Sequence, residues 1–165
     1  LYFAIQYQSD MYQQNKFLSL ITGLESYHRE RNEDDRYMPK EDYNDVVSKI
    51  DKMINDSVPA KSRTVKLLES GIGNEPSLKH RLYEITEEHE DVLDQLMDIE
   101  QTVKDARDLR HSLAHGLSSD SQIEELVETV PRLTVIVEVC LLCALDLEDE
   151  LVIDQMNQQH SHELN

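Results

Sequence analysis

Apolar residues recur at three- and four-residue spacing along most of the chain, the period of an amphipathic helix. From about Ser9 to Arg31, Phe17, Ile21, Leu24 and the Tyr27–His28 pair fall on one stripe. The charged run RERNEDDR then ends that helix as a solvated loop. A second helix is predicted from PKEDYNDVVSKIDKMIND, with Pro39 near its N-terminus, acids in its first turn, and Val46, Ile50 and Ile54 at four-residue spacing. Pro59 closes it, a short helix AKSRTVKLLES follows, and GIGNEP is a clear break. Leu78, Leu82, Ile85, Val92 and Leu96 mark SLKHRLYEITEEHEDVLDQLM as helical. In DIEQTVKDARDLRHSLAH the buried face takes Ile99, Val103, Ala106, either Leu109 or Arg110, and Leu113, with Gly116 as C-terminal cap. After the loop LSSDSQ, the last long helix begins near Ser121 and passes through Pro131, which should bend or restart it. The fold class is all-α, an up-and-down bundle of four to six helices. Residues 1–16 read as a segment continuing from an upstream domain, 17–155 as the helical domain and 156–165 as a polar tail.

Composition supports this picture. A chain of 165 residues fits one domain with a single core. Hydrophobic residues at 39% and charged residues at 30% suit a soluble globular protein rather than a disordered one. Four glycines and four prolines are too little punctuation for a turn-rich β fold. LYFAIQY carries no signal-peptide pattern. The longest apolar run, LTVIVEVCLLCAL, is too short for a bilayer and contains Glu138. Cys140 and Cys143 lie inside that run with apolar neighbours and no second cysteine pair, so they read as core thiols of a reducing, cytoplasmic protein.

The net charge of −18 changes the functional picture. It fits a solvated acidic surface of the halophile type, or a surface complementary to a basic partner. The spread of the acids along several helices favours the former. Such a field repels nucleic acid at low ionic strength and is screened within roughly 3 Å at 1 M salt. Acidity therefore weighs against an RNA or DNA substrate without excluding it.

The chemistry concentrates in RDLRHSLAHG, residues 107–116. Metal-free RNA cleavage needs an acid–base group working near neutrality, which histidine supplies, and a fixed cation for the phosphate, which arginine supplies. Arg110 and His115 stand about 140° apart on an ideal helix, whereas His111 and His115 differ by only about 40°. Arg107, His111 and His115 thus form a ladder, and Arg110 joins it only if the helix end relaxes. Two other readings stay open. An HxxxH pair can bind zinc, but Ser112 stands where a catalytic Glu would be and no third ligand is evident. Basic residues in a last turn also complement the helix dipole and cap its carbonyls.

RHSLAH resembles the Arg-polar-x-x-x-His signature of HEPN domains. FLSLITGLESYHRER is similar to the first core helix of the ApeA-like HEPN branch, and SLKHRLYEI to its Arg-Leu element. The resemblance spans roughly Phe17 to Val152. It implies an all-α homodimer acting as a metal-independent endoribonuclease, with a composite site facing across a two-fold. It also implies antiviral defence of the abortive-infection type, RNA as partner, and an upstream sensor domain in the same chain. On this resemblance Arg110 and His115 are the motif residues, and His111 takes the second position, commonly Asn. Which histidine transfers the proton stays open. Arg107 is the candidate substrate-binding residue. Glu25, His28 and Arg29 fall on the first-helix motif, where an intramolecular ion pair steadying the bundle is favoured over direct chemistry. No cofactor, metal or membrane is expected.

Overall fold

A computed structural model describes residues 13–32, 36–57, 73–115 and 120–160. Among these residues the fold is all-α, with seven helices: α1 (Gln13–Arg31), α2 (Lys40–Ser57), α3 (Leu78–Glu88), α4 (Glu90–Leu93), α5 (Ile99–Ala114), α6 (Asp120–Cys143) and α7 (Asp149–His160). The count exceeds four to six for two reasons. The segment expected as one helix from Ser77 to Met97 breaks at His89, whose backbone N–H turns back to the Thr86 carbonyl, leaving α4 as a single turn. The apolar run after Pro131 also ends at Cys143, and α7 follows as a separate element. Asp146 makes that second break in the left-handed region, at φ 57°. Asp tolerates this conformation better than most side chains, so no glycine marks the turn.

The chain divides into two units, residues 1–31 with 78–165, and residues 32–77. In the first, α1 packs on α6 and α3, α5 on α6 and α3, and α7 on α6 and α4. The core between them takes Phe17, Ile21 and Leu24 from α1, Leu82 and Ile85 from α3, and Val103, Ala106 and Leu109 from α5. From α6 it takes Leu133, Ile136 and Val139, and from α7 Val152 and Met156. Each fully buried Leu or Ile contributes about 1.5–3 kcal/mol relative to exposure. Leu109, not Arg110, faces inward, so the expected choice between them resolves toward the apolar residue.

Pro131 does not restart the helix: α6 is one element of 24 residues. A proline in a helix interior removes a backbone donor. Arg132 Nε donates to the Glu128 carbonyl at 3.0 Å and Thr134 Oγ1 to the Val130 carbonyl at 2.9 Å, so side-chain donors serve carbonyls in the turns around it.

In the second unit, Asn74 ties the chain ahead of α2. Its carbonyl accepts from the Tyr37 backbone N–H, its Oδ1 from the Met38 N–H, and its Nδ2 donates to the Met38 carbonyl at 2.9 Å. The stripe expected on α2 is only partly covered: Ile50 and Ile54 are half-buried, while Val46 is exposed. The expected short helix at 60–70, residues 71–72 of the break and the Gly116 cap lie outside the described residues. No helix among the described residues is long and apolar enough to cross a membrane.

Candidate functional site on α5

α5 starts at Asp98, whose side chain accepts the backbone N–H of Gln101 at 2.9 Å and satisfies one of the helix's unpaired N-terminal donors. Thr102, Val103, Ala106 and Leu109 fix its inner face in the core. The outer face is thereby set by helical period alone, and it exposes Lys104, Arg107, Arg110, His111 and His115. The helix ends at His115 (φ −93°, ψ 3°), whose backbone N–H is shared between the His111 and Ser112 carbonyls at 3.2 Å each. This tightened last turn closes α5 through His115's own backbone.

The ladder expected from spacing is present in part. The His111 and His115 rings meet edge-on, with centroids 4.3 Å apart and planes at 63°. Arg107 is turned onto its neighbour Asp108, donating through Nε at 2.9 Å and a terminal nitrogen at 2.7 Å. Both side chains are about half exposed, at 45% and 54%, so this pair is worth at most about 1 kcal/mol. Arg110 makes no side-chain hydrogen bond or ion pair among the described residues, to either histidine or to any carboxylate.

The first-helix residues are placed elsewhere. His28 is 2% exposed and spans the α1–α3 contact. Arg81, equally buried, approaches its Nδ1 at 3.2 Å, and Glu84 Oε2 lies 2.6 Å from its Nε2. A guanidinium only donates, so Nδ1 accepts and Nε2 carries the hydrogen given to Glu84. His28 thus bonds to Arg81 and Glu84, both on α3, and so links α1 to that helix. Glu25 is half-buried and Arg29 exposed. Arg31 pairs with Glu88 and lies over the Tyr27 ring, 5.2 Å from its centroid.

A second buried pair escaped the sequence reading. His160 Nε2 donates to Glu138 Oε2 at 2.5 Å, with both residues about 5% exposed, tying the end of α7 to α6. The glutamate inside an apolar run was its visible signal; its partner, 22 positions on, was not. Cys140 is a core thiol as expected: burial pushes its pKa up to about 12, and burial also raises Cys143. Burial lifts the Tyr27 hydroxyl to about 12 and lowers His89 below the usual histidine range. Among the described residues no group of three or more histidine, cysteine, aspartate or glutamate side chains could hold a metal ion.

The opposite end of α5 has the opposite sign. Asp98 and Glu100 join Glu87, Glu90 and Asp94 around a cavity of about 540 Å³ that Met97 and Ile99 also line. Phosphates are repelled there, which leaves the basic C-terminal half of α5 as the end suited to an anion.

Residues 18–151 match the family described as Apea-like HEPN. The chain belongs to that family. Comparison with curated proteins and with solved structures gave no match. In this HEPN domain the family match covers most of α1 with His28, α3 with Arg81, and the whole of α5, so the buried network and the exposed ladder both lie within it.

Proposed function

We propose that this HEPN domain is a metal-independent endoribonuclease serving antiviral defence of the abortive-infection type. The observation that carries the reading is the exposed end of α5, where Arg110 has no hydrogen bond or ion pair among the described residues and two histidine rings lie 4.3 Å apart. One imidazole takes the proton of a ribose 2′-OH as its oxygen attacks the adjacent phosphorus. The P–O5′ bond breaks, O5′ leaves with a proton supplied by a protonated imidazole, and the products are a 2′,3′-cyclic phosphate and a 5′-hydroxyl. Arg110 stabilises the charge on the phosphoryl oxygens, and Arg107 exchanges Asp108 for a neighbouring phosphate.

Arg110 and His115 point about 140° apart on one helix. A homodimer with two α5 helices facing each other would bring the arginine of one chain to the histidine of its partner, so the active unit is a dimer. An upstream domain of the same chain would act as sensor.

The test is incubation of the purified chain with total RNA in EDTA, beside Arg110→Ala, at low and high salt. The expected result is cleavage in EDTA that leaves cyclic-phosphate ends and is lost in the variant. Equal cleavage by both proteins overturns the assignment. The acid-lined cavity at the start of α5 favours a second reading, a non-catalytic HEPN module that docks a basic partner. That reading predicts no cleavage in any dimeric, full-length preparation.

A further inference from the structure

We propose that His111 and His115 form a two-imidazole chelate for Zn²⁺, and that an ion held there switches the α5 site off. The two residues are one turn apart on one face of α5, the spacing that lets two imidazoles reach a common point. Their rings are already in contact, at 4.3 Å between centroids, and both are exposed to solvent. Zinc takes imidazole nitrogen at about 2.0–2.1 Å, and histidines one helical turn apart on one face are the spacing in which two imidazoles ligate one ion.

The other histidines in the described residues are less suited. His28 and His160 are buried against Glu84 and Glu138, and His80 faces Glu84. The Nε2 of His89 is buried without a partner among the described residues. Neither His111 nor His115 forms a side-chain hydrogen bond or ion pair among the described residues, so metal binding there displaces only water. The net charge of −18 raises the local concentration of divalent cations.

Two ligands fix the character of the site. Asp108, one turn before His111, is held by Arg107, so water completes the coordination sphere and the ion exchanges readily. An exchangeable ion is a regulator rather than a structural part. The imidazole lone pair that takes a 2′-OH proton is the one that binds zinc, so the two uses exclude each other. This second step rests on the nuclease reading; the chelate does not.

Calorimetric titration of zinc chloride into the full chain, at a salt concentration that suppresses loose binding to surface acids, reads the site directly. His111→Ala and His115→Ala should each weaken binding by about tenfold or more, since either removes half of the ligand set. His80→Ala, at a half-buried histidine on α3 that faces Glu84, should bind as the parent does. All three variants keep the parent's helical circular dichroism, because the substituted side chains lie at the surface. Parent-like binding by either α5 variant overturns the chelate. In the RNA assay zinc should suppress cleavage over the range in which it binds, and EDTA should restore it; cleavage indifferent to bound zinc overturns the switch. The calorimetry needs no RNA, so failure of the chelate and failure of the nuclease reading register in separate measurements.

Discussion

Arginine and histidine occur together in two regions of this HEPN domain, under opposite conditions. Between α1 and α3, Arg81 and His28 are each about 2% exposed and hydrogen-bonded to each other, and His28 also bonds Glu84. On α5, Arg110, His111 and His115 are exposed, and none of them is engaged with a carboxylate among the described residues. A buried guanidinium whose donors are taken holds helices together and cannot also greet a substrate. An exposed one costs the fold almost nothing to keep and remains available. Residue type alone therefore does not locate chemistry; the state of its hydrogen-bonding capacity does.

The sharpest way to break the comparison is to remove one arginine from each region. Arg110→Ala should lower RNA cleavage by about 10²–10³-fold, the scale of a lost charge-stabilising donor. Its unfolding free energy should stay within about 0.5 kcal/mol of the parent, as for other exposed substitutions. Cleavage of end-labelled RNA beside a urea melt reads both quantities. Arg81→Ala should do the reverse at the level of the fold. It strips the buried Nδ1 of His28 of its donor and opens a cavity, a loss of about 3–5 kcal/mol in the same urea melt. A loss below about 1 kcal/mol would mean that the network is not what joins α1 to α3.

The two regions also differ in how far the sequence disclosed them. The exposed ladder was legible because it is local: His111 and His115 are four residues apart, and helical period alone puts them together. The buried network was only half legible. His28 and Arg81 each stood out within a motif, but 53 positions separate them, and the pairing is a product of how α1 lies on α3. The Glu138–His160 bond was hidden for the same reason, compounded by the break at Asp146. A left-handed residue without glycine leaves no mark in a hydrophobic pattern. Helical class and the inner faces of α1, α3 and α5 followed from periodicity, whereas the single turn α4 and the separate α7 depended on backbone geometry that periodicity does not encode.

Protonation sharpens the comparison further, because it acts on the buried side. Burial lowers His89 from its ordinary value of 6.5, so the unfolded chain binds a proton there before the folded one does. Its contribution to stability is complete above pH 6.5 and falls as pH drops from there through the lowered folded value. Cys140 and Tyr27 act at the other end. Their ordinary values of 9.0 and 10.0 rise to about 12, so stability falls as pH climbs above 9. Urea midpoints from pH 5 to 10 should show both flanks, and His89→Gln should flatten the acidic one. An acidic flank unchanged in that variant assigns it to carboxylates instead. In the native state, iodoacetamide at pH 8 should leave Cys140 unmodified, since the reactive thiolate is suppressed there.

The smallest expected effect tests the exposed side at its weakest bond. Arg107 is held by Asp108, an exposed pair worth about 0.2–1 kcal/mol. Asp108→Asn removes the competing carboxylate and lowers the local negative charge, so Arg107 meets a phosphate without first leaving a partner. RNA affinity should rise by up to about fivefold, the equivalent of about 1 kcal/mol. Because the gain is electrostatic, it should shrink as salt rises, and fluorescence anisotropy across a salt series reads it. Stability should not move by more than about 0.5 kcal/mol. A gain that persists at high salt would show that Asp108 acts on something other than Arg107. A loss of affinity would place the Arg107–Asp108 pair, like His28 and Arg81, among the contacts that shape the protein rather than its site.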